Sequence, residues 1–434
     1  MPYITRALER YLQECLTDTP VVVITGPRQS GKTTLSKHLL ELPELIEKGS
    51  YLTLDDENIL SIARDDPIGL LRHQLRPVII DEVQRAPELV RTIKLLVDED
   101  RQPGSFILTG SADLMTLPTL ADSLAGRVEF VTLYPFSQPE LQQPLFSSDE
   151  NDIIKQLLSP DFVPKPLISF GYDDVISAIV CGGYPEVQQR SPRRRARWHL
   201  SYSDAIVRRD IKEVFQLQKL DEMAQLLKRL ASISSNALNY ASLGKAVQMD
   251  IKSVQKYVSA LENLYLVKRI PGWHRNELKR SVKQAKIHFV DTGLLCALRG
   301  INEDSLQADK NLMGPMMETW VCSELLKAIV VSDEDCQLFH YRDKNKREVD
   351  FILSGRSGRA TGIEVKAGLT IKKEMFAAQE MLIKTGCIQR GVIVYNGDRV
   401  LPFSDQLVAV PVSYLFCSAG EKGSHICVSR YGKK

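Results

Sequence analysis

Gly26-Pro27-Arg28-Gln29-Ser30-Gly31-Lys32-Thr33-Thr34 follows a β-branched apolar run, Val21–Ile24, and leads into a helical stretch at Leu35–Leu40. This is the spacing and context of a phosphate-binding loop. Glycines let the backbone wrap closely around phosphates, and successive N–H groups at a helix N-terminus bind the anion. The lysine reaches the terminal phosphates and the threonine hydroxyl ligates Mg²⁺. The chemistry expected is binding of ATP and Mg²⁺, with a chance glycine-rich turn as the alternative. Pro77-Val-Ile-Ile-Asp81-Glu82 reads as a buried strand ending in two carboxylates. Asp81 is placed to hold the metal and Glu82 to orient or polarise the attacking water, so hydrolysis is expected as well as binding.

Further along, Ser105-Phe-Ile-Leu-Thr109-Gly-Ser111 reads as another strand ending in hydroxyls, and Arg127 closes Leu124-Ala-Gly-Arg. Arg127 has two readings: an arginine finger that completes a neighbouring subunit's site, or a surface salt-bridge partner.

A second constellation lies near the other end of the chain. Glu318 sits on an amphipathic helical stretch with Met317, Val321 and Leu325; Asp350 is near the start of one strand and Glu364-Val-Lys366 on the next. On a strand, residues two apart share a face, so Glu364 and Lys366 can converge with Asp350 and Glu318 as metal ligands and a water-activating lysine. This resembles the PD-(D/E)xK nuclease pattern, with Val349 where its proline would be. The same carboxylates can equally belong to a domain that only binds DNA or packs against the rest of the chain.

Between them lies a basic segment. From Lys245 to Lys286 ten Lys/Arg face only Asp250, Glu262 and Glu277. Asp250 can cap a helix over Ile251–Asn263 whose Val254, Tyr257, Val258 and Leu261 form an apolar face, with Lys252, Gln255, Lys256 and Ser259 on the other side. A preceding helix near Tyr240–Val247 and a hairpin from Leu266–Arg269 and Lys286–Val290 complete a winged helix–turn–helix reading. Its expected tip holds Trp273, His274, Arg275, Lys279 and Arg280. Such a face suits phosphate contact with DNA; a solvated charge run or a protein-interaction module is the competing reading.

Gly26–Thr33, Ile80-Asp-Glu-Val-Gln84, Leu108–Ser111, Leu124–Arg127, Gly182-Gly-Tyr-Pro-Glu186, Val290-Asp-Thr-Gly-Leu294, Glu348–Ile352 and Glu364–Lys366 together resemble a family of prokaryotic AAA-type ATPases. In that family the ATPase core is followed by a winged helix and a nuclease-like domain. The resemblance spans nearly the whole chain. It implies a polar sensor of the γ-phosphate at Thr109 or Ser111, and a Gly-x-Pro near the adenine that matches Pro185. It also implies assembly as a homo-oligomer, with a hexameric ring as one form.

The elements that must position these residues follow from composition and pattern. The chain has 434 residues, with 56 Lys+Arg against 54 Asp+Glu and 44% hydrophobic residues, enough for several packed cores and too apolar for disorder. No apolar run reaches the roughly 20 residues of a membrane span, and the eight cysteines form no C-x-x-C pair, so a cytoplasmic protein with reduced thiols and no membrane contact is expected. Short strands alternating with helices up to about residue 140 predict a parallel α/β sheet. The expected fold class is therefore α/β. Its parts are a P-loop AAA-type core at 1–141, a linker and helical lid at 142–235, a winged helix at 236–300, a nuclease-like α/β domain at 301–415 and a tail at 416–434. The function expected is a Mg²⁺-dependent ATPase that remodels or translocates duplex or branched DNA. The alternatives are an ATP-controlled signalling or defence switch and an ATP-regulated nuclease.

Overall fold

The structure, a computed structural model, describes residues 3–42, 49–110, 124–142, 152–159, 162, 170–210, 220–274 and 284–416. The chain divides into two compact units: Met1–Phe136 with Asn263–Tyr265, and Ser137–Glu262 with Leu266–Lys434.

The first unit is built on five parallel strands, β1 (Val21–Thr25), β2 (Ser50–Thr53), β3 (Val78–Asp81), β4 (Phe106–Thr109) and β5 (Val128–Thr132), in the order β2-β3-β4-β1-β5. Central strands β1, β3 and β4 are buried along their whole length. That is why they read as unbroken apolar runs: a parallel sheet covered on both faces leaves no side for alternation. The helix Leu89–Glu99 supplies Leu89, Val90, Ile93, Leu96 and Val97 to the core shared with Val78, Ile80, Phe106 and Leu108. The chain leaves β1 for the far edge, works back through β3 and β4, and crosses to β5 on the other side of β1. A change of direction of this kind opens a crevice at the carboxyl ends of the strands, where α/β sheets bind ligands.

In the second unit the helices Tyr172–Cys181, Pro192–Ala205 and Leu220–Ser232 pack on Thr292–Arg299. The Gly182-Gly-Tyr-Pro and Val290-Asp-Thr-Gly segments meet here. Asp291 accepts hydrogen bonds from Gly183 N at 2.7 Å and Leu294 N at 2.9 Å. Gly182 has φ of 72°, and a Cβ there would lie 2.4 Å from the Asp291 carboxylate, so both conformation and space require glycine.

A short hairpin of antiparallel β6 (Val267–Ile270) and β7 (Lys286–Phe289) follows the helices Tyr240–Ala246 and Ile251–Asn263. Beyond it, β8 (Cys336–Arg342), β9 (Glu348–Gly355), β10 (Ala360–Lys366), β11 (Arg390–Tyr395), β12 (Leu401–Ser404) and β13 (Leu407–Pro411) form a mixed sheet ordered β12-β13-β11-β10-β9-β8. The helix Lys310–Val331 packs on β10.

Three expectations need correction. The helix carrying Glu318 is not one-sidedly amphipathic: Met313, Met316, Met317, Trp320, Val321, Cys322 and Leu325 are all buried, because it is enclosed by neighbours on more than one side. At the start of the segment expected as linker and helical lid, Ile153–Leu158 is already a helix, capped by Asp152, which buries Ile154, Leu157 and Leu158. Trp273 does not stand at a hairpin tip. It is buried with Phe339, Val349, Ile352 and Leu382, and its backbone N–H donates to His340 O at 2.6 Å, since an indole gains more from apolar cover than from solvent. Among the described residues no helix is long and apolar enough to cross a membrane, and the cysteines there are free.

Candidate nucleotide site and carboxylate cluster

Gly26 leaves β1 at φ 138°, and a Cβ would lie 2.2 Å from Leu133 O, so no other residue lets the loop turn this close to the sheet. The helix Lys32–Leu39 opens directly from Gly31. Lys32 is buried and its Nζ donates to Gly26 O at 3.0 Å and Pro27 O at 2.8 Å, which holds the ammonium inside the curve of the loop. Arg6, which carries no motif and was missed in the sequence, reinforces the loop from outside. Its guanidinium donates to Ser30 O at 2.9 Å and Tyr134 O at 2.7 Å, and lies 4.6 Å over the Phe136 ring.

Asp81 ends β3, and three hydroxyls reach its carboxylate, two from the neighbouring strands β2 and β4 and one from the helix that follows the loop. Thr33 and Tyr51 both donate to Oδ2 at 2.8 Å, and Thr109 donates to Oδ1. Tyr51 was also missed: it lies on β2, and nothing in a lone tyrosine signals that β2 pairs with β3. Burial first, then its bond to Asp81, pushes the Tyr51 phenol well above its ordinary pKa. It therefore stays a donor. Glu82 follows at φ 59°, in the left-handed region, and its carboxylate accepts from the Gln84 amide. Its N–H donates to Thr109 Oγ1 at 3.3 Å. A non-glycine residue held there is a strained turn of the kind found at functional sites. The donor set suits a nucleotide with Mg²⁺: backbone N–H groups and Lys32 for phosphate, and the Thr33 hydroxyl beside the Asp81 carboxylate as hard oxygen ligands.

The remaining expected site residues are distributed as follows. Arg28, Gln29 and Thr34 lie in or just after the loop, while Ser111 falls outside the described residues. Arg127 Nε donates to Asp98 Oδ1 at 2.5 Å and Nη1 to Ala125 O at 3.0 Å. Its own carbonyl accepts from Val21 N, the first residue of β1, at 3.1 Å. The P-loop leaves the last residue of β1, so a strand of five residues, roughly 13–17 Å, separates Arg127 from its own nucleotide site. Arg127 cannot complete that site. Pro185, in the second unit, opens a short turn behind the fully buried Tyr184, whose hydroxyl donates to Tyr202 at 3.1 Å.

Near the other end of the chain, β9 and β10 run antiparallel with Ile363 opposite Phe351, which brings Asp350 beside Glu364. Asp350 Oδ2 accepts from Val365 N at 2.9 Å, and Glu364 accepts from Asp350 N at 3.3 Å. Lys366 Nζ bonds Glu364 at 2.6 Å. Sequence reasoning missed the central member, Lys286, which it counted in a basic surface. The Lys286 side chain is 5% exposed, and Nζ lies 2.9 Å from Glu318, 2.6 Å from Glu348 and 3.3 Å from Asp350. Burial pushes the Glu318 carboxyl up, as does the charge of Asp350; burial and Asp350 do the same to Glu364. Burial opposes the charge on Lys286, but the three carboxylates outweigh it and hold the ammonium protonated above its ordinary range. Among the described residues no group of His, Cys, Asp and Glu is arranged to hold a metal.

The helix Ile251–Asn263 exposes Lys252, Gln255 and Lys256, leaves Ser259 half-buried, and buries Val254, Tyr257, Val258 and Leu261. Asp250 accepts from Ser253 N at 2.9 Å at its start. Arg269 is paired with Glu262, 2.5 Å away, and donates to Ser259 Oγ on this face at 3.3 Å. Arg275, Lys279 and Arg280 lie outside the described residues.

Comparison with known proteins agrees with this geometry. Residues 18–142 match a family model described as an AAA domain, residues 172–305 one described as Domain of unknown function (DUF8612), and residues 313–415 one described as Domain of unknown function (DUF4143). With its five-stranded parallel sheet, P-loop and Asp81–Glu82 pair, the first unit is an AAA-type P-loop ATPase domain, followed by a further α/β domain. The chain is 29% identical over 409 residues, 93% of its length and 82% of theirs, to uncharacterized proteins Rv2008c of Mycobacterium tuberculosis and Mb2031c of Mycobacterium bovis. Among solved structures it is similar to Cdc6p from Pyrobaculum aerophilum (15% identity, 74% of this chain and 96% of that one, TM-score 0.26). It is also similar to a chain of Drosophila ORC bound to DNA (12% identity, 68% and 94%, TM-score 0.28). Likenesses that weak carry no inference about this chain.

Proposed function

We propose that this protein is a Mg²⁺-dependent ATPase that binds duplex or branched DNA and couples ATP hydrolysis to its remodelling or translocation as a homo-oligomer. The observation that carries the ATPase reading is the meeting of Thr33, Asp81 and Glu82 at the mouth of the P-loop. On this reading Thr33 and Asp81 hold the metal, which supplies charge neutralisation on the phosphates. Lys32 exchanges its two loop carbonyls for phosphate oxygens, and Glu82 accepts the proton of the attacking water. Tyr51 and Thr109 keep the Asp81 carboxylate in position. Arg127 is paired with Asp98 at 2.5 Å, which is its salt-bridge reading, and from the far end of its own sheet it could serve only a second copy's nucleotide.

DNA contact is supported by the exposed Lys252, Gln255 and Lys256 on one helix face, whose opposite face is core. Together with the hairpin, these helices support the winged-helix reading, and phosphate contact by such a face is electrostatic and largely independent of sequence. One observation favours the switch reading instead: Trp273 and Lys286 of the hairpin are buried against β8–β10, as in a protein-packing module. Steady-state turnover with no nucleic acid, single strand, duplex and a four-way junction separates the two. DNA binding predicts severalfold stimulation that Lys252→Glu with Lys256→Glu abolishes and that added salt weakens. Turnover that is flat across all four substrates makes the protein a switch.

A further inference from the structure

The carboxylate cluster formed by Glu318, Glu348 and Asp350 already holds a cation, and that cation belongs to the chain. Lys286 projects from β7 with its Nζ within 3.3 Å of all three carboxylates and is buried. The strand that carries it is tied down on both sides. Ile287 N donates to Asn236 O at 3.0 Å on one side, and on the other β7 pairs with β6, Ile287 opposite Arg269. Two residues along β7, His288 is completely buried, with Nε2 3.8 Å from Glu318 and without a hydrogen-bond partner. Its other ring nitrogen, Nδ1, lies 3.4 Å from Thr319 Oγ1.

As they stand these acidic oxygens, with the unpartnered His288 Nε2 3.8 Å from one of them, are not arranged around a metal, and a divalent cation could be taken up only in place of the ammonium. We propose that Lys286 is a built-in cation that fills this cluster and excludes divalent metal, so that the hairpin strand β7 locks the C-terminal domain against metal-dependent chemistry. The lock follows from charge. A metal ion and an ammonium compete for these oxygens, because like charges about 3 Å apart repel strongly even where the surroundings screen them. The same ion pairs fasten β7 to the C-terminal domain, so any movement that unseats the hairpin also unmasks the site.

Titration calorimetry with Mn²⁺ on the intact, nucleotide-free chain tests this. Any weak binding at Asp81 is common to every variant and cancels in the comparison. Lys286→Met is expected to gain one binding event that wild type lacks, and Lys286→Met with Asp350→Asn to lose it again. Mn²⁺ should raise the Tm of Lys286→Met and leave that of Lys286→Arg as in wild type. Should Lys286→Met fail to fold, wild type alone decides, since Asp350→Asn must leave its Mn²⁺ isotherm unchanged. The proposal is overturned if a folded Lys286→Met gains no site, or if wild type loses a Mn²⁺ site on Asp350→Asn. Neither result bears on ATP turnover at Asp81 and Glu82.

Discussion

Asp81 shows how far a single carboxylate depends on its neighbours. Thr33, Tyr51 and Thr109 each give it a hydroxyl hydrogen, so it is buried without leaving an oxygen unsatisfied. Of these, Thr33 and Asp81 were legible from the loop and the strand, and Thr109 was one of two hydroxyls singled out. Tyr51 was not, because strand order is a property of the fold rather than of local spacing. Tyr51→Phe should therefore cost roughly 1.5 kcal/mol in urea-monitored stability, at the low end for a bond to a charged group. Its turnover should fall less than that of Asp81→Asn, because a metal ligand is retained. An unchanged midpoint in urea would mean that the phenol contributes nothing to holding Asp81.

Strands and helices were the most legible level. The unbroken runs of β1, β3 and β4 mark buried parallel strands, whereas β5, with Glu129 in its middle and one neighbour only, carries no such signal. Hidden from pattern was the partner each element would choose. Lys286 looks like one more basic residue of a positive segment, yet the strand that bears it turns its side chain into the carboxylates of β9 and of the helix Lys310–Val331. Trp273 looks like a surface aromatic and becomes core for the same reason. The cluster has a pH signature. Glu318 and Glu364 have folded pKa values raised by burial, so the stability they add is fully present below the ordinary glutamate range, near 4.3, and is lost as pH rises through their raised values. The Tm of Glu318→Gln relative to wild type should accordingly climb as pH rises from about 4.3 past neutrality. A relative Tm that falls over that interval would mean that Glu318 ionises more readily in the folded chain.

At the scale of the molecule, two compact units divide the chemistry. The first carries the P-loop, the acidic pair and Arg127; the second carries the exposed helix face and the closed carboxylate cluster. The motifs announced both groups of residues, but only the fold distinguishes an acidic pair held by the hydroxyls of Thr33, Tyr51 and Thr109 and by the Gln84 amide from a set of carboxylates bonded to Lys286 and Lys366. That difference puts the expected hydrolysis of ATP in the first unit, and on the proposal above Lys286 fills the cluster of the second. The measurement that bears most directly on this is ATP binding and steady-state ATP turnover of the intact chain with Mg²⁺, comparing wild type with Glu82→Gln. The account predicts unchanged ATP affinity and a turnover lower by roughly 10²–10⁴-fold, the usual contribution of a general base. Turnover equal to wild type in Glu82→Gln would contradict it.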